Sequence, residues 1–168
     1  MQTSGDRKPF PVVQNGQFVA IQPALSPDAK WLAYVSDESG QSEVYVVPFP
    51  HGTGRYLVSS GGGSWPRWSR DGKELFYWQD RAMMSTPMQA TNGSLTVGKS
   101  ARLFEADPAP GGLGPMYDVS ADGKKFVVVA RGGRRKAFDP DPELARALAQ
   151  ALGARLTLAQ GSGPEEPR

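Results

Sequence analysis

The sequence predicts an all-β fold built from small antiparallel sheets, and three observations carry that prediction. The stretch SRDGKELFYW (69–78) has two relatives in the same chain, SPDAKWLAYV (26–35) and SADGKKFVVV (120–129). Their leading serines, Ser26, Ser69 and Ser120, stand 43 and 51 residues apart. Each copy is a turn followed by an apolar run, and the 20 glycines and 15 prolines suit many short strands better than helices.

The turns come first. An Asp-Gly pair before aromatic and β-branched residues is a strong hairpin signal. Glycine accepts a positive φ without a Cβ clash, which assigns Gly72 and Gly123 to that position. Asp28, Asp71 and Asp122 then accept hydrogen bonds from turn amides. The first copy carries Ala29 where the others carry glycine, so its turn is expected to be of a different type or strained.

The strands follow in order. KWLAYVS (30–36), SEVYVVPF (42–49) and RYLVSS (55–60) lie between the first turn and SWPRWS (64–69), which leads into the second. ELFYWQ (74–79), AMMSTPM (82–88) and ARLFEA (101–106) come next, then PMYDVS (115–120) and KKFVVVA (124–130) around the third turn. PFPVVQ (9–14) and FVAIQPALS (18–26) are expected to be the outer strand of one sheet and the inner strand of the next. Four short strands per period is the signature of a β-propeller, here a partial one of about two and a half four-stranded antiparallel blades. The post-turn runs barely alternate apolar and polar residues, so both of their faces need cover, and stacked blades supply it. A β-sandwich is the competing arrangement.

These residues carry a resemblance. SPDAKWLAYVS, WSRDGKELFYW and VSADGKKFVVV resemble the WD-like S-P-D-G-K-x-(I/L)-(A/F)-(F/Y) repeats of TolB-type β-propellers. The segment from Leu25 to Trp78, with EVYVVPFP and GGGSWPRWSRDGKELFY, is similar to the C-terminal propeller region of bacterial serine/threonine protein kinases. The resemblance covers about residues 9–130 and implies a propeller. Such propellers usually have about six blades, so the chain looks like the C-terminal part of a longer protein. No glycine-rich phosphate loop, H-R-D loop or D-F-G of a kinase is present.

Composition excludes several chemistries. With no cysteine there is neither disulfide nor thiol nucleophile, and with His51 as the single histidine no His-rich metal site can form. The net charge of +2 gives no strong field toward nucleic acid or membrane. The start, MQTSGDRKPFPVVQNG, lacks the apolar core of a signal peptide, and no run is long enough to be a membrane helix. No cofactor or metal is expected, and localisation is left open. After residue 130 the repeat stops. RGGRRK falls in a basic, proline-containing linker at 131–141. Asp141 and Pro142 then start a helix at 142–156 with Leu144, Leu148, Leu152 and Leu156 on one face, and a disordered tail follows at 157–168.

GGGSW (61–65) lacks the second glycine of a nucleophile elbow, so Ser64 reads as the start of an inner strand. Asp37-Glu38-Ser39-Gly40 lacks the ligand spacing of a calcium loop and reads as a hairpin turn. Trp68 and Trp78 are core. Trp65 and Arg67 follow a flexible glycine-rich loop, where propellers expose binding residues. Asp37, Glu38, Asp80 and Arg81 stand in loops expected on the same face, with 59–66 and 106–115. The expected function is therefore a non-catalytic module that binds a protein or peptide, with no nucleic acid and no membrane insertion. The alternatives are the gating propeller of a prolyl-oligopeptidase-like hydrolase and a truncated gene product without independent function. Two and a half blades should leave Trp31–Val35 and Phe126–Val129 facing water and drive self-association.

Overall fold

The computed structural model describes residues 10–13, 17–51, 53–108 and 117–129. The chain divides into two units, Met1–Gly133 and Arg134–Arg168, and every described residue lies in the first. The linker at 131–141, the helix expected at 142–156 and the tail at 157–168 fall outside the described residues.

Strands β1 (Ala20–Leu25), β2 (Trp31–Ser36), β3 (Glu43–Pro48) and β4 (Tyr56–Leu57) form one four-stranded antiparallel meander. In the second sheet β5 (Ser64–Trp68), β6 (Glu74–Gln79) and β7 (Ala82–Thr91) run in order. A short strand, β8 (Ser94–Val97), pairs with the far half of β7, and β9 (Ala101–Glu105) pairs with its near half. β10 (Tyr117–Val119) and β11 (Phe126–Val128) open a third sheet. The fold is a partial β-propeller: two blades and the first two strands of a third.

Blade stacking explains the unalternating runs. Along β6, Leu75 and Tyr77 join Trp31, Ala33, Val35, Val44 and Val46 in one core cluster. Phe76 and Trp78 point the other way and join Met83 and Tyr117 in a second. A strand covered on both faces buries every side chain, and each such side chain contributes about 1.5–3 kcal/mol.

The three repeat turns are one structure. In each, the fourth residue donates its N–H to the serine carbonyl: Ala29 to Ser26 at 2.9 Å, Gly72 to Ser69 at 3.0 Å and Gly123 to Ser120 at 2.8 Å. The serine hydroxyl donates to the aspartate, as in Ser26–Asp28 and Ser69–Asp71, and the same oxygen of Asp28, Asp71 or Asp122 accepts the N–H two residues on. Gly72 and Gly123 sit at φ +71°, and Ala29 at +55°. The first turn is thus not of a different type. Ala29 adopts the glycine conformation and carries the strain.

Three further expectations are corrected. Phe10–Val13, the described part of the expected outer strand 9–14, is not a strand. β8 was not anticipated, although Asn92-Gly93 before it is a hairpin signal, with both residues left-handed. Trp31, Ala33, Tyr34 and Val35 are buried rather than facing water. Tyr34 stacks on Tyr45 at 5.9 Å on the face away from the second blade, and Arg55 lies over Tyr45. Leu25 and Leu57 are exposed at this end, and Val127 and Val129 at the other.

Candidate functional site

Aligned on Ser26, Ser69 and Ser120, the inner strands β1, β5 and β10 place Gln22 opposite Trp65, Pro23 opposite Pro66, and Ala24 opposite Arg67 and Asp118. Proline has no N–H to give a ladder, and each X-Pro pair coincides with a break in register. The breaks lie between Ile21 and Ala24 and between Ser64 and Arg67. Both residues before proline are left-handed, Gln22 at φ 55° and Trp65 at φ 54°.

At these bulges the inner strands are stitched to one another by side chains. Trp65 N–H donates to Gln22 Oε1 at 2.6 Å, and Trp68 Nε1–H donates to the Ala24 carbonyl at 3.1 Å. The Tyr117 hydroxyl donates to the Trp65 carbonyl at 2.7 Å and reaches the Phe76 carbonyl at 3.2 Å. Burial pushes the Tyr117 phenol far above its ordinary value, although Arg67 pulls the other way, so it remains a donor.

Between the three strands lies a cleft of about 920 Å³, lined by Gln22, Trp65, Arg67, Arg70 and Asp118 together with Ile21, Leu25 and the prolines. The Arg67 guanidinium sits 6.0 Å from the Tyr117 ring centre and 3.3 Å from Asp118 Oδ1. Its Nε is buried and has no hydrogen-bond partner among the described residues.

The glycine-rich loop that leads to Trp65 is pinned, which corrects the expectation of a flexible one. Glu43, only 3% exposed, accepts from the Ser59 hydroxyl, from Gln41 Nε2 at 2.6 Å and from the N–H groups of Gly61 and Gly62, each at 2.9 Å. Burial alone would raise its pKa. The Ser59, Gly62, Gln41 and Gly61 hydrogen bonds outweigh burial and hold it below the ordinary glutamate value. Gln79 Nε2 donates to the Ser60 carbonyl at 2.9 Å from the neighbouring blade, and Gly63 N–H donates to the Ser42 carbonyl at 2.8 Å.

Of the sequence-predicted binding residues, Trp65 and Arg67 meet in the cleft; the other four do not line it. Asp37 Oδ1 accepts from Val19 N–H at 2.8 Å, and its carbonyl accepts from Gly40 N–H in a tight turn. Glu38 pairs with Arg55. Asp80, at φ 51°, and Arg81 form the β6–β7 turn, where the Arg81 carbonyl accepts from Ala106 N–H at 3.0 Å. Asp28, Asp71, Gly72, Asp122 and Gly123 hold the turns assigned to them. Ser64 Oγ is 3.5 Å from the Trp78 carbonyl, while His51 packs against Phe10. Sequence reasoning missed Gln22, Arg70 and Asp118. The repeated X-Pro pair before the turn serine was the available signal for Gln22.

No protein-family model matches the chain, and no curated protein does. Among solved structures the chain is similar to TolB from Acinetobacter baumannii, with 21% identity and a TM-score of 0.36. The match covers 68% of this chain and 39% of that one, so the chain spans well under half of that structure's length.

Proposed function

We propose that the chain is a non-catalytic propeller module that binds a protein or peptide in the cleft between β1, β5 and β10. The observation that carries this reading is a strained backbone at Trp65, whose half-buried indole packs against the Phe76, Trp78 and Tyr117 cluster and also lines the cleft. A left-handed, non-glycine residue costs about 1–2 kcal/mol. Here that conformation sets an indole and the neighbouring Arg67 in the wall of an open cleft. Strain of this kind persists where the surroundings over-determine it, and it clusters at ligand clamps. A non-catalytic role is supported by Ser64, which faces a backbone carbonyl, and by His51, which packs on Phe10 instead.

The wider assignment rests on the repeat motifs. EVYVVPFP and the GGGSWPRWSRDGKELFY segment support a place in a longer sensor or kinase-linked protein, whose propeller docks something outside the kinase domain. Self-association through the exposed apolar residues Leu25, Leu57, Val127 and Val129 belongs to the same reading.

Phage-displayed random dodecapeptides selected on the immobilised full chain test it. Selection should enrich sequences whose binding Trp65→Ala removes and Asp37→Asn leaves intact. Enriched peptides indifferent to Trp65→Ala would place the site elsewhere.

A further inference from the structure

The cleft carries a charge pattern that narrows its ligand. It holds two arginines, Arg67 and Arg70, against one carboxylate, Asp118, and its remaining lining is largely apolar. Ile21 and Leu25, both 46% exposed, form part of that lining.

The existing ion pair is a loose one. Arg67 Nη1 reaches only Asp118 Oδ1, at 3.3 Å, and the Asp118 side chain is 73% exposed. The same oxygen accepts from Val119 N–H at 2.9 Å. A single exposed contact of this kind contributes little, because water competes for both partners. A guanidinium is built for two parallel hydrogen bonds to one carboxylate. Arg67 has that capacity spare on its solvent side: its side chain is 37% exposed, its Nη1 meets a single oxygen of Asp118, and the Tyr117 ring lies against the group. Arg67 and Asp118 also occupy the same repeat position on adjacent blades.

We infer that the cleft selects a carboxylate carried on an extended apolar segment, with Arg67 as its anchor and Asp118 as the group it displaces. The inference rests on the cleft being the binding site. The incoming carboxylate takes the fork of Arg67, Arg70 adds a second positive charge, and Asp118 turns to solvent. The apolar flank of the segment lies along Ile21, Leu25 and the prolines.

The test uses the full chain and an array of random nonapeptides. Each is made as an Asp/Glu sequence and as its Asn/Gln twin with an amidated C-terminus, and a further set has a free C-terminal carboxylate. Carboxylate members should bind at least tenfold more tightly than their amide twins, and the set that binds identifies a side-chain or a terminal carboxylate. Arg67→Gln should erase the difference, with Arg67→Lys restoring only part of it. Asp118→Asn should tighten the carboxylate members several-fold and leave the twins unchanged, which a merely supporting Asp118 would not do. If twins bind alike while Trp65→Ala still removes both, the cleft stands and the carboxylate inference falls. Weaker carboxylate binding in Asp118→Asn overturns the displacement. Absence of any Trp65-dependent binding removes the site and the inference together.

Discussion

Trp65 N–H donates to Gln22 Oε1 at 2.6 Å, and the two residues hold the same left-handed conformation at the same position of consecutive repeats. Each bulge frees a backbone N–H from its ladder, and here the neighbouring blade takes up the one at Trp65. A half-buried amide left unpaired costs about 1–3 kcal/mol. Gln22→Leu should therefore lower stability in urea by about that amount, and Gln22→Glu, which keeps an acceptor, by less. Wild-type stability for Gln22→Leu would mean that water replaces the bond at no cost.

The turns make a contrast between Ala29 and the glycines testable. Ala29→Gly should stabilise the chain by about 0.5–1 kcal/mol, because it relieves a left-handed alanine. Gly72→Ala and Gly123→Ala should cost about as much. A Cβ at Gly72 would meet Pro27 no closer than 3.8 Å, and one at Gly123 would meet Phe76 no closer than 3.9 Å. Conformation alone sets those costs. Thermal melts of the three variants decide it, and a destabilised Ala29→Gly would refute the strain.

Gly63 is required for the opposite reason. Its φ is ordinary, but a Cβ there would lie 2.5 Å from Ser59 Oγ and 2.8 Å from Val44 Cγ2. Val44 and Ser59 are both buried, so neither has room to yield. Gly63→Ala should cost about 1–3 kcal/mol by overpacking. It should also weaken peptide binding at Trp65, which follows two residues later. A melt unchanged from wild type would show that the β4–β5 loop can shift.

Glu43 gives the fold an acid-sensitive latch. Its folded pKa is held below the ordinary 4.5, so the stability it contributes is present above that value and is lost as pH falls through the folded one. Asp28 and Asp71 shift the same way, chiefly through the Ser26 and Ser69 hydroxyls. Glu43→Gln should lower stability at pH 7 by about 1–3 kcal/mol and flatten the loss on acidification. Urea midpoints at neutral and acid pH provide the check, and parallel losses in both proteins would overturn it.

What the sequence revealed follows how local each interaction is. The Ser-x-Asp-Gly-Lys turns close within six residues, so their spelling announces them, and the runs after them announce two-sided burial. Trp65 and Arg67 were legible because they follow three glycines. Gln22 and Asp118 were not, since each meets the site from a different blade, 43 residues before Trp65 and 51 after Arg67. Glu43 looked like an ordinary strand-end acid, because the amides that bind it come from a loop 18 and 19 residues further on. β8 was overlooked for another reason: a four-strand period leaves no place for an extra hairpin.

Each outward blade face keeps exposed apolar residues, although Tyr34 and Tyr45 are buried on the first of them. At one end stand Leu25, 46% exposed, and Leu57, 51% exposed; at the other stand Val127 at 70% and Val129 at 55%. Repeat alignment gives these positions a meaning. Leu25 is equivalent to Trp68 of the middle blade, while Val127 and Val129 are equivalent to its Phe76 and Trp78. All three middle-blade residues are buried against a neighbouring blade. The two ends are therefore the opposite halves of one kind of joint, and a second copy can join head to tail. Monomers seldom leave such apolar faces in water. Light scattering on the full chain at tens of micromolar should report a mass above that of the monomer. Val127→Glu combined with Val129→Lys should return it toward the monomer without lowering the melting temperature, because both side chains are largely exposed. A monodisperse wild-type monomer would show that the chain covers both faces itself.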